Sequence, residues 1–142
     1  MENTLVSEVN VKIDAPVEKV WEALTDPEMI KKYFYDTDTH TDWIPGNPIK
    51  FTGEFQGKKY EDKGTVKAIE PYSLIQYNHW SSMSGLEDRD ENYSNITYRL
   101  TKYDDGTLLT VIQDNIKSEK LKEHSAESWK TVIDNLKQLI EA

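Results

Sequence analysis

From Ser118 onward the apolar side chains recur at a spacing that only an α-helix satisfies. Leu121, Trp129, Val132, Leu136 and Leu139, together with Ser125, fall on one stripe, and Ile133 and Ile140 widen it. The stripe persists for more than 20 residues, which as a helix is a rod about 30 Å long. Such a helix must bury its apolar face against another element. Most of the preceding chain has a period of two, the mark of β-strands with one buried face. The pairing of one long helix with an antiparallel sheet is therefore the main constraint on the fold, and it points to the α+β class.

Val9, Val11 and Ile13 alternate with Asn10 and Lys12 in a first strand. The period then changes. Pro16 suits a first helical turn, Glu18 suits its positive end, and Val17, Val20, Trp21 and Leu24 form a helical face. Thr25-Asp26-Pro27 ends this helix and opens a second, with Asp26 as cap and Pro27 as first residue. Met29, Ile30, Tyr33 and Phe34 give the second helix its stripe. Further strands follow. Ile49, Phe51 and Phe55 share one parity, and Gln56-Gly57-Lys58-Lys59 makes a turn. Tyr60, Asp62, Val66 and Ala68 share the next parity, with Gly64 at a place for a bend or bulge. Leu74 to Trp80 is a strand, Ser81 to Glu91 a loop, and Ile96, Tyr98 and Leu100 a strand that turns through Asp104-Asp105-Gly106 into Thr107 to Gln113. Residues 1–142 read as one domain without linker or repeat.

Composition excludes several functions. With 17 basic and 26 acidic residues, net charge -9, the chain lacks the basic field that nucleic acid or an anionic membrane surface requires. There is no cysteine, so disulfides and thiolate chemistry are absent. Met1 to Glu8 has neither the basic nor the apolar region of a signal peptide, and no apolar run is long enough to span a membrane, so a cytoplasmic location is expected. Asn92-Tyr93-Ser94 and Asn95-Ile96-Thr97 then match glycosylation acceptors by chance. His40, His79 and His124 lie in no metal-ligand spacing, and no metal or cofactor is expected. Gly53 to Lys59 has the wrong glycine spacing for a phosphate loop, and no Ser or Thr follows its lysine.

The run Ile13-Asp14-Ala15-Pro16-Val17-Glu18-Lys19-Val20-Trp21-Glu22-Ala23-Leu24-Thr25-Asp26-Pro27-Glu28 resembles the opening of the START-like (Bet v 1-like, SRPBCC) superfamily. Gly64-Thr65-Val66 through Ile69-Glu70-Pro71, the Gly106-Thr107 hairpin, and Trp129 with Leu136-Lys137 agree with the branch related to the C-terminal domain of the activator of Hsp90 ATPase. Two positions depart from the family pattern: Tyr33-Phe34 replaces a Trp-Phe pair, and Ser128 replaces a glycine before the helix tryptophan. The resemblance implies a helix-grip architecture, a curved antiparallel sheet around the terminal helix with a cavity between them. It also implies an apolar small-molecule ligand or, as an alternative, a chaperone partner.

Candidate site residues follow from chemistry and this architecture. Tryptophan offers apolar area and one donor, which suits a flat, partly polar ligand. Trp129 is on the inward stripe, as core or pocket lining, while Trp43 and Trp80 lie near loops that can border an entrance. Phe34 belongs to the departing pair that alters the cavity lining. Tyr60, Tyr98, Asp62 and Gln113 are placed on strands where they can orient a ligand by hydrogen bonds, and His79 is a polar group in an aromatic strand. Parity does not decide which way Asp62 and His79 face. The expected function is the binding of a small apolar or aromatic molecule, without catalysis. A protein-interaction role is the first alternative, and an enzyme using His79 or a buried carboxylate the second.

Overall fold

The computed structural model describes residues 4–34, 36–82 and 85–142, except the side chain of Phe55. Seven strands form one antiparallel sheet: β1 (Leu5–Ile13), β2 (Asp38–His40), β3 (Pro48–Phe55), β4 (Lys58–Glu70), β5 (Leu74–Ser81), β6 (Ser94–Tyr103) and β7 (Gly106–Ile116). Their spatial order is β1-β7-β6-β5-β4-β3-β2. The chain thus closes its first strand against its last and otherwise meanders. Helices α1 (Val17–Thr25) and α2 (Pro27–Tyr33) follow β1, and α3 (Glu119–Glu141) ends the chain on the inner face of the curved sheet. This is the α+β helix-grip fold.

Local chemistry sets the element ends. Asp26 serves both short helices: its N–H donates to Glu22 O at the end of α1, and its carboxylate accepts from Glu28 N at the start of α2. Pro27, which has no N–H to satisfy, occupies the first position of α2. Ser118 caps α3 by accepting from Leu121 N at 3.2 Å. The core runs from Ile13, Val20 and Leu24 through Ile75, Ile96, Leu109 and Val111 to Val132, Ile133, Leu136 and Ile140. Burial of side chains of this size is worth about 1.5–3 kcal/mol each. Among the described residues, no helix is long and apolar enough to cross a membrane.

Three details differ from the sequence expectation. The short strand β2 pairs with β3 through Asp38↔Thr52 and His40↔Lys50, where no periodicity announced it. The bulge in β4 lies at Lys67, between Val66↔Tyr77 and Ala68↔Gln76, and not at Gly64. That extra residue reverses the parity, so Ile69, and not Ala68, packs on the core beyond Val66. Gly64 has another cause. A Cβ there would stand 1.7 Å from the backbone oxygen of Asn78, so the close approach of β5 requires a residue without a side chain. Finally, Leu121 opens the apolar stripe of α3 yet is 50% exposed, because α3 begins over a space and not over packed side chains. Met83 and Ser84, inside the expected loop, lie outside the described residues.

Candidate functional site

That space is a cavity of about 680 Å³ between the sheet and the first half of α3. Phe51 of β3, Tyr60 and Asp62 of β4, Tyr77 and His79 of β5, Ser94 and Ile96 of β6 and Gln113 of β7 make the sheet wall. Leu121, His124, Ser125, Ser128, Trp129 and Val132 make the helix wall. Phe34 and Thr37 close one side, and Trp80, Leu86, Asn92 and Lys117 stand among the groups bordering the rest. A volume of this size is that of a small-molecule pocket.

The base of the cavity is a closed circuit of aromatic rings. Phe51 contacts Tyr77 (5.7 Å between ring centres), Tyr77 contacts Tyr98 (5.7 Å) and Tyr98 contacts Trp129 (5.9 Å). Trp129 meets Phe34 edge-on (5.9 Å), and Phe34 stacks on Phe51 (6.3 Å). Edge-to-face and stacked contacts of this kind each add about 0.5–1.5 kcal/mol beyond burial, and together they fix ring orientation. The hydroxyls of Tyr77 and Tyr98 share a 2.7 Å hydrogen bond. Burial holds both phenols well above their ordinary titration range, so the pair is neutral.

Polar groups are few and placed at separate points. Gln113 Oε1 accepts from Ser125 Oγ (2.7 Å) and Trp129 Nε1 (2.8 Å), which pins α3 to β7. Ser125 also bonds Ser7 of β1 at 3.1 Å. Tyr60 OH bonds Thr37 at 2.6 Å. His79 Nε2 lies 3.3 Å from Asp62 Oδ2, while Asp62 Oδ1 is buried with no partner among the described residues. The diagonal register explains the pair: Asp62 stands opposite Ser81, two residues beyond His79 on the same face.

Of the residues singled out from the sequence, Phe34, Tyr60, Asp62, His79, Trp80, Gln113 and Trp129 line the cavity. Asp62 and His79 therefore face inward. Two do not line it. Trp43 turns its ring to the helix pair, donating from Nε1 to Thr25 O at 2.9 Å, and packs on the core from outside the cavity. Tyr98 lies beneath the wall, 7% exposed, with its ring behind Tyr77 and Trp129. Phe51, Tyr77 and His124 belong to the wall and were not singled out. Tyr77 shares the parity of His79, and His124 is one turn before Ser128, so both were within reach of the pattern once the inward face was known.

A curved antiparallel sheet gripping a long helix over an internal cavity defines a helix-grip protein of the START-like class. Within that class, the chain belongs to the Activator of Hsp90 ATPase homolog 1-like family, whose model matches residues 14–141. The solution structure of ChR145 from Cytophaga hutchinsonii is similar at TM-score 0.86 and 42% identity, over 99% of this chain and 97% of that one. The Aha1 dimer from Colwellia psychrerythraea is similar at TM-score 0.77 and 20% identity, over 96% of each chain. DynU16, from the dynemicin biosynthetic locus, is similar at TM-score 0.78 and 22% identity, over 96% of this chain and 47% of that one. The last two likenesses concern the fold alone. No curated protein matches the chain.

Proposed function

We propose that the protein binds a small, largely aromatic molecule in the cavity between its sheet and α3. The observation that carries this is the cavity itself: about 680 Å³ of space under the first half of α3, floored by fixed aromatic rings. The aromatic floor offers a ligand's apolar atoms close contacts of the kind that small-molecule pockets use. The rings favour a flat molecule, and the separated polar points at Asp62–His79 and Gln113 favour one with a polar group at its edge. A chaperone-regulating role is the alternative raised by the family description, but it leaves the cavity without a use.

The test is binding of a naphthyl fluorophore, read by quenching of tryptophan emission, in the native chain and in Ser128→Leu. Ser128 is on the helix wall, so leucine there occupies cavity space. Saturable binding in the native chain and weaker binding in Ser128→Leu is the expected result. Binding unchanged by Ser128→Leu, or none in either chain, would sink the reading. Mass spectrometry under non-denaturing conditions then identifies the natural ligand as a small adduct released on denaturation.

A further inference from the structure

The polar edge of the cavity has a directionality that apolar binding does not explain. A carboxylate accepts hydrogen bonds and does not donate them, so the hydrogen between Asp62 Oδ2 and His79 sits on Nε2. In the neutral ring, Nδ1 therefore keeps its lone pair. Among the described residues no protein group meets Nδ1, and His79 is on the cavity wall. The edge-on contact with Phe51, 6.0 Å between ring centres, holds the imidazole plane. Two strands away, Gln113 has committed its oxygen to Ser125 and Trp129, which leaves its amide hydrogens as donors. The wall thus offers an oriented base and a separate donor.

We infer that the ligand carries an acidic hydroxyl on an aromatic or enolic carbon and that His79 takes its proton; this rests on the cavity-binding reading above. The ligand's O–H bond breaks, a bond forms between the proton and Nδ1, and the electron pair remains on the ligand oxygen. The result is an oxyanion beside an imidazolium, itself 3.3 Å from the Asp62 carboxylate. No oxidant, reductant or second reactant is needed. Net charge supports the order of events, because a chain at -9 repels anions at long range, so the ligand enters neutral and ionises inside. The other titratable groups on the wall are Glu54, Tyr60, Tyr77, Lys117 and His124. Burial keeps Tyr77 neutral, and Lys117 donates to Glu91 O and Asn115 Oδ1. His124, on α3, is the competing base.

The probe is 4-nitrophenol, whose phenolate absorbs in the visible and whose neutral form does not. In buffer on the acid side of its own titration, the native chain is expected to raise the phenolate band. It is also expected to bind 4-nitrophenol about tenfold or more tightly than nitrobenzene, the same ring without the hydroxyl, as a charge-assisted hydrogen bond implies. His79→Gln and Asp62→Asn should lose both the band and the preference while still binding nitrobenzene, which shows an intact cavity. His40→Gln, at an imidazole outside the cavity that bonds Thr52, should keep both. Equal affinity for the two rings with no band, or a band that survives His79→Gln, overturns the inference and leaves the cavity reading standing. Failure of both rings to bind removes the cavity reading, and this inference with it.

Discussion

The two halves of α3 lie on the same sheet and meet opposite interiors. Toward its C-terminus, Val132, Ile133 and Leu136 pack with Leu24, Tyr33, Leu109 and Val111, and the space left among them is about 10 Å³. Toward its N-terminus, Leu121, Ser125 and Ser128 look onto about 680 Å³. Trp129 and Val132 border both. The difference lies in side-chain size and in what anchors the helix. The filled end combines close-packed aliphatic groups with surface bonds from Lys137 to Lys12 O and from Asp14 N to Glu141, whereas the hollow end depends on bonds from Ser125 and Trp129 to Gln113, from Ser125 to Ser7, and on the Ser118 cap. Close packing thus dominates beneath one end, while beneath the other a small number of hydrogen bonds and the ring contacts of Trp129 set the position of the helix over the cavity.

If this contrast is right, truncation at the filled end has the largest effect. Leu136→Ala should lower unfolding free energy by about 2–5 kcal/mol in a denaturant titration, with fluorophore affinity per folded molecule unchanged. A much smaller loss would mean that the filled end is not close-packed. Next comes pH. Tyr33, Tyr77 and Tyr98 are all raised above their ordinary value of 10.0 by burial. The folded state therefore retains protons that the unfolded chain releases above that value, and stability falls as pH rises past 10.0. Each tyrosine contributes up to about 1.4 kcal/mol per pH unit. Melting temperatures followed into alkali should show the decline, and Tyr98→Phe should shallow it. An alkaline limb indifferent to Tyr98→Phe would show that this ring titrates freely.

Smaller effects probe the hollow end. Ser118→Ala should reduce stability by about 1 kcal/mol, measured by denaturant unfolding, because one cap hydrogen bond is lost from a helix start that has little packing beneath it. Ser128→Leu should change stability by less than about 1 kcal/mol, even though it weakens fluorophore binding, because the added side chain is directed to the cavity. A loss of several kcal/mol in the same titration would show that the hollow end is in fact filled by tight contacts, and the contrast would break.

Much of the fold was legible in the periodicities. The period of two located the main strands, the change of period at Pro16 located α1, and Thr25-Asp26-Pro27 located the junction whose cap the structure shows. β2 was not legible, since three residues are too few to show alternation. The candidate site was legible only in its residue types. Trp129 and Gln113 were identifiable as inward or orienting groups, but their hydrogen bond joins residues 16 apart on different elements. Trp43 looked like an entrance residue because it lies near a loop, and the acceptor that turns its ring away, Thr25 O, belongs to a helix 18 residues earlier.

The sequence by itself determined which segments are helix or strand, where the helices start, and that a long amphipathic helix must cover a sheet, because these depend on neighbours a few residues apart. Only the tertiary structure decided which face of β4 and β5 is inner, and hence that Asp62 and His79 meet inside. The register runs unbroken from Asp62 to Val66, so Asp62 shares the buried face of Val66, and one unannounced residue at Lys67 reverses parity only beyond it. The volume of the cavity was likewise beyond the sequence, since it is the small remainder between the curvature of seven paired strands and the line of α3 across them, and both depend on every strand at once.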